Sequence, residues 1–234
     1  KVGSTEFSLR KDKALEQIHW STNRNIKYDR LFAFAFDHRT QFENWIKKYN
    51  KNKNCIETFK SLALRAAISV KLHNTGIGIL VDDLYGRKAL EKASDHNIWI
   101  GRPIEVSGKY PLRFQNDEDL TSYLNEWPVN HCVKVLAPVR MDDTNEIKSY
   151  NEEKLLSLFK ACRNTNHEFL LEIITSYNNK IIEPEQILKL IDRFYNIGIF
   201  PDWWKIEPIQ SNDFWDKAGN LIRKYDPYIQ GIVV

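Results

Sequence analysis

The stretch "LFAFAFDHR", Leu31–Arg39, alternates large and small residues with a period of two. That period is the signature of a β-strand, whose successive side chains point to opposite faces. Phe32, Phe34 and Phe36 share one face; Ala33, Ala35 and Asp37 share the other. Phenylalanines suit a surface covered by helices, and alanines suit a crowded interior. The segment therefore reads as one stave of a barrel, with Asp37 turned inward at the strand's C-terminal end.

Working outward, six more short apolar runs read as strands: Ile77–Asp82, Asn97–Gly101, Cys132–Ala137, Glu168–Ile174, Asp202–Ile206 and Tyr228–Val234. Between them lie segments with apolar residues at helical spacing: Ile56–Leu72, Arg87–Ser94, Asn151–Cys162, Glu185–Ile197 and Phe214–Tyr225, with a weaker one over Asp117–Glu126. Pro184 and Gly198 bracket one of these as start and stop signals. A repeated β-then-α unit implies a parallel sheet with right-handed crossovers. The "GIGIL" at Gly76 runs into a strand instead of opening a helix, so no dinucleotide fingerprint is present. The expected fold is an α/β chain of the TIM (β/α)8-barrel type, interrupted after its seventh strand. Residues 1–30 read as a linker carrying a short helix, Lys11–His19, and residues 31–234 as the barrel.

Composition narrows the function. Of 234 residues, 42% are hydrophobic and 28% charged, enough apolar material for a sizeable core. Net charge is only +3, and the densest basic stretch, "KKYNKNK" at Lys47–Lys53, reads as a solvated loop, not a nucleic-acid surface. Three cysteines without a CxxC pair argue against a disulfide framework or structural zinc and suit a reduced, cytoplasmic setting. No apolar run is long enough to span a bilayer.

The same alternation assigns inward residues on three further strands. In "HCVKVLAP", Lys134 faces in with Cys132 and Leu136. In "FLLEIIT", Glu172 faces in with Leu170 and Ile174. In "PDWWKIEP", Trp204 and Ile206 face out, leaving Trp203, Lys205 and Glu207 inside. With Asp37, two carboxylates and two lysines converge near the C-terminal ends of four strands, where barrel active sites are built. A lysine in an apolar wall beside a second cation is biased towards its neutral, nucleophilic amine. A carboxylate beside it can shuttle protons. This is the equipment of a metal-independent, Schiff-base aldolase needing no cofactor. The six histidines show no metal-binding spacing; only His38 stands near the site, while His131 and His167 open strands at the opposite end.

Several motifs in order, "AFAFDHRTQFENW", "GILVDDLYGRKAL", "WIGRPIEVSG", "VKVLAPVRMDD", "HEFLLEII" and "IFPDWWKIEP", resemble the aldolase-like C-terminal domain of bacterial fused 5-dehydro-2-deoxygluconokinases. "LEQIHWSTNR" resembles the linker joining kinase to barrel in those fusions. The domain is associated with 2-deoxy-5-keto-gluconate 6-phosphate aldolase in inositol catabolism, and is similar to class I tagatose-1,6-bisphosphate aldolases. The resemblance implies Lys205 as the Schiff-base lysine, Glu172 as proton shuttle, and Lys134 and Asp37 as their companions. It implies dihydroxyacetone phosphate and malonate semialdehyde as products, and a sugar kinase as a fused or partner domain. The chain departs from the tagatose enzymes in having Asp37-His38-Arg39 where they have Asp-Gln-Arg, and in lacking their eighth strand with its Gly-Arg motif.

Other substrate contacts expected at the strand ends are His38, Arg39, Asp82, Arg102 and Arg140. Arg102 has Glu105 and Asp83 as alternative ion-pair partners, and alternation leaves open which of Asp82 and Asp83 faces the site. Two other functions stay open: an aldolase for another ketose phosphate, and a non-catalytic barrel that binds a sugar phosphate or serves as an interaction module.

Overall fold

A computed structural model describes residues 12–24, 27–70, 76–137, 139, 143–174, 176–177, 180–181 and 183–234. Its strands are β1 (Leu31–Ala35), β2 (Gly76–Leu80), β3 (Trp99–Pro103), β4 (His131–Ala137), β5 (Phe169–Ile173), β6 (Ser176–Tyr177), β7 (Lys180–Ile181), β8 (Trp203–Ile206) and β9 (Gly231–Val233). The described helices are α1 (Lys13–Asn23), α2 (Thr40–Lys48), α3 (Asn54–Ser69), α4 (Arg87–Ala93), α5 (Leu120–Leu124), α6 (Asn145–Thr165), α7 (Pro184–Asn196) and α8 (Asn212–Tyr225).

Seven strands form one sheet in the order β1-β2-β3-β4-β5-β8-β9, every pair parallel. The short β6–β7 ladder is antiparallel and separate. The result is a nearly closed (β/α) barrel, with a seam where β1 and β9 are each paired on one side only.

The alternation expected from the sequence sorts the core into layers. Inside the barrel, Leu80, Trp99, Cys132, Leu170 and Trp203 form a cluster that Leu31, Ala33, Ala35 and Val233 join. Trp99 and Trp203 meet edge to face at 5.8 Å and fill the N-terminal half of the interior. Outside, Val133, Val135, Leu171, Ile173, Trp204 and Ile206 pack against apolar faces of α6, α7 and α8. Phe36, Ile79, Val81 and Ile100 pack against α3 and α4. Each such residue removed from water contributes about 1.5–3 kcal/mol.

Phe32 and Phe34 depart from expectation. They lie on the outer face, yet are 57% and 47% exposed. No described helix covers them, because β1 borders the seam. Helix α2, unexpected from sequence, is short and leaves Trp45 exposed. The weak helix expected over Asp117–Glu126 contracts to the five residues of α5. Helix α7 starts with a capping box between Glu183 and Gln186 and with Pro184 as its first residue, and Gly198 just beyond it takes φ 95°, a conformation that glycine adopts without strain.

At the N-terminal end of the barrel, α1 is tied down by Asp202, which is fully buried. Its carboxylate accepts from Trp20 Nε1, Arg24 Nε at 3.0 Å, Arg163 Nη1 at 2.8 Å and the Phe169 backbone N–H at 2.8 Å. Arg163 also lies over the Trp20 ring at 3.9 Å. Among the described residues, no helix is long and apolar enough to cross a membrane.

Candidate active site

The site stands on three adjacent strands. Glu172 of β5 and Lys205 of β8 are register partners, while Lys134 of β4 pairs with Leu170, one inward position lower. The Glu172 side chain therefore lies between the two lysines. Its Oε1 accepts from Lys205 Nζ, and its Oε2 is 2.7 Å from Lys134 Nζ. Lys134 Nζ also reaches Asp37 Oδ2 at 3.2 Å and Glu105 Oε1 at 3.6 Å. All four inward-facing residues expected from alternation thus join one ion-pair network, near the C-terminal ends of the strands.

Burial and charge separate the two lysines. The Lys134 side chain is 5% exposed, that of Lys205 24%. Burial would push the Lys134 ammonium towards neutrality, but Asp37, Glu105 and Glu172 outweigh it and hold it protonated well above the ordinary lysine range. Burial would likewise raise the two acids. The Lys134 ammonium reverses this for Asp37, bringing it down to about 2, and Lys134 with Lys205 lowers Glu172. Lys134 is thus a permanent cation. Lys205 shares a single carboxylate and reaches the surface.

The remaining expected contacts are distributed differently. The His38 side chain is exposed, and its backbone carbonyl accepts from Lys60 Nζ at 3.0 Å. Arg39 is buried and grips Glu105, donating 2.7 Å bonds to the carboxylate and to the carbonyl of the same residue. Asp82 is fully buried; Lys60 takes one oxygen and the Tyr85 N–H the other. Both its acceptor atoms are engaged, so it offers no free charge to the barrel mouth. Asp83, not Glu105, is the partner of Arg102, at 3.0 Å. Arg102 shares the outer face of β3 with Ile100 and lies over Trp127 at 3.7 Å. It lines a groove of about 1210 Å³ that Arg39, Asp83 and Trp127 also line and Lys205 does not. Arg140 lies outside the described residues.

Two charged residues at the site were missed from sequence. Glu105 follows Trp99, Gly101 and Pro103 at period two and so belongs to the inward face, but Pro103 ends the apparent strand. Lys60 falls on the buried stripe of α3 with Ile56, Ala63, Leu64 and Ala67. A lysine on such a stripe was itself the signal.

A family profile, described as an uncharacterized protein conserved in bacteria (DUF2090), matches residues 1–234. The chain belongs to the DUF2090 family. No curated protein matches it.

Proposed function

We propose that the protein is a class I aldolase whose Schiff-base residue is Lys205. The observation that carries this is the Glu172 carboxylate bridging two lysines, one oxygen to each, the more exposed being Lys205. Such a bridge gives an amine a local proton acceptor and leaves a fixed cation beside the reacting carbonyl.

Lys205 passes a proton to Glu172, breaking N–H and forming O–H. The amine nitrogen then bonds to the ketone carbon, the carbonyl electron pair moves to oxygen, and the proton that the nitrogen sheds passes to that oxygen. Glu172 protonates this hydroxyl, water leaves, and an iminium forms. The Glu172 carboxylate next removes the proton of the hydroxyl two carbons away. The C–C bond breaks, an aldehyde departs, and the electron pair neutralises the iminium to an enamine. Protonation at carbon and hydrolysis free the amine. Throughout, Lys134 stabilises developing negative charge on oxygen, and Asp37 holds Lys134.

The substrate we assign, on the motif resemblance, is 2-deoxy-5-keto-gluconate 6-phosphate, cleaved to dihydroxyacetone phosphate and malonate semialdehyde. Borohydride reduction in the presence of dihydroxyacetone phosphate should attach the reduced ketone to Lys205, as located by peptide mass spectrometry. An adduct at Lys134 would reverse the two lysines; no adduct at either would reject the aldolase.

A further inference from the structure

Glu105 and Arg39 have no step in that mechanism, yet they are bonded into its centre. Glu105 is 7% exposed. One carboxylate oxygen takes Arg39 Nη2 at 2.7 Å and faces Lys134 Nζ at 3.6 Å; the other accepts the Leu136 backbone N–H at 3.3 Å. Arg39 Nη1 holds the Glu105 carbonyl as well. A buried residue gripped at both its side chain and its main chain is strongly oriented.

The bonded set contains three cations, Lys134, Lys205 and Arg39, and three anions, Asp37, Glu105 and Glu172. When Lys205 passes its proton to Glu172, two of each remain. The set is neutral before and after the transfer; Arg39 and Glu105 cancel each other, so losing either one alone leaves an unbalanced charge beside Lys134. At that moment Lys134 loses its nearest anion, and Asp37 and Glu105 are the two that still face it. The other titratable groups nearby are His38 beside Asp37, the mutually paired Lys60 and Asp82 behind it, and Glu207 two residues beyond Lys205.

We propose that Arg39 and Glu105 are positioning residues acting through Lys134: Glu105 keeps Lys134 charged and aimed while Glu172 carries the proton, and Arg39 holds Glu105 and offsets its charge. This rests on the aldolase reading above. It also changes the role of Arg39 from a substrate anion contact to a partner of the catalytic machinery.

A mere staple between the two loops predicts something else, since removing either partner would break the same bridge. Charge balance makes the two substitutions opposite. The acid limb of the pH profile for borohydride trapping of dihydroxyacetone phosphate on Lys205 is the readout. Glu105→Gln, which leaves a surplus positive charge, should move that limb to lower pH by about one unit. Arg39→Gln, which leaves a surplus negative charge, should move it about as far to higher pH. The double substitution should return the profile close to wild type while keeping the loss of thermal stability. Single substitutions that move the limb the same way, or not at all, overturn the proposal. If the wild-type protein forms no adduct, the aldolase reading fails separately. The pH dependence of Lys205 arylation by fluorodinitrobenzene then decides the charge-balance proposal, with the same opposite shifts expected.

Discussion

Lys60, Lys134 and Lys205 each lie against a carboxylate, and the acids around each set its chemistry. Lys60 is fully buried with Asp82 as its carboxylate, and burial drives it below the ordinary lysine range. Lys134 is nearly as buried but faces three acids and stays charged. Lys205 shares Glu172 and is open enough to meet a substrate. Glu172→Gln keeps the side-chain shape but removes the proton acceptor. Turnover of 2-deoxy-5-keto-gluconate 6-phosphate should fall by about 10²–10⁴, and the thermal unfolding midpoint should fall as well, because both lysines lose their shared anion; unaltered turnover would remove Glu172 from the mechanism. Alternation was enough to bring Asp37, Lys134, Glu172 and Lys205 together, because strand period fixes a face without further information. It was not enough for Arg39, which lies past the end of its strand, where the period stops constraining direction. For Arg102 the ion-pair alternative holds: it sits on the outer face at the strand's end, paired with Asp83.

At the scale of elements, parallel strands joined by helices were legible from repeated apolar runs, and boundaries moved by a few residues. Helix α2 was not, because nine residues with three large apolar side chains give too little periodicity over the "FENWI" region. How α1 docks was equally hidden. It depends on Asp202, a residue 178 positions away from Arg24, and such pairings leave no local trace. Burial would raise Asp202, but Arg163 and Arg24 outweigh it and keep the carboxylate ionised. Asp202→Asn should cost roughly 3–5 kcal/mol in urea-induced unfolding, since it leaves buried guanidinium groups without their anion. Amide exchange in α1 should accelerate more than in β4; equal acceleration in both would mean that Asp202 does not hold the helix.

For the whole molecule, acid is the informative stress. His131 is 3% exposed, and burial, helped by Arg102, lowers it to about 4. An unfolded histidine titrates near 6.5. Between those values the unfolded chain binds more protons, so stability is full above about pH 6.5 and falls as pH drops towards about 4. The loss amounts to about 3 kcal/mol. Asp37, also depressed, adds a further loss as pH falls from about 4 to about 2. His131→Leu should flatten the decline between pH 6.5 and 4, as measured by denaturant midpoints, and leave the lower one; an unchanged slope would exclude His131. Sequence alone put this histidine at the stability end of the barrel. That it lacks hydrogen-bond partners for either ring nitrogen is a property of the packed structure.

The exposed edge of β1 bears on the cluster in mechanical terms. Among the described residues, Lys134, Glu172 and Lys205 sit on strands flanked on both sides by others, whereas Asp37 extends from a strand with one hydrogen-bonded neighbour. Edge strands open locally at lower free energy than central ones. The four-residue cluster therefore has three stiff mounts and one compliant mount. When β1 frays, Lys134 loses Asp37, and Glu105 loses the hold of Arg39, while the contact with Glu172 persists, so the site's first response to thermal motion is a weakened grip on its fixed cation.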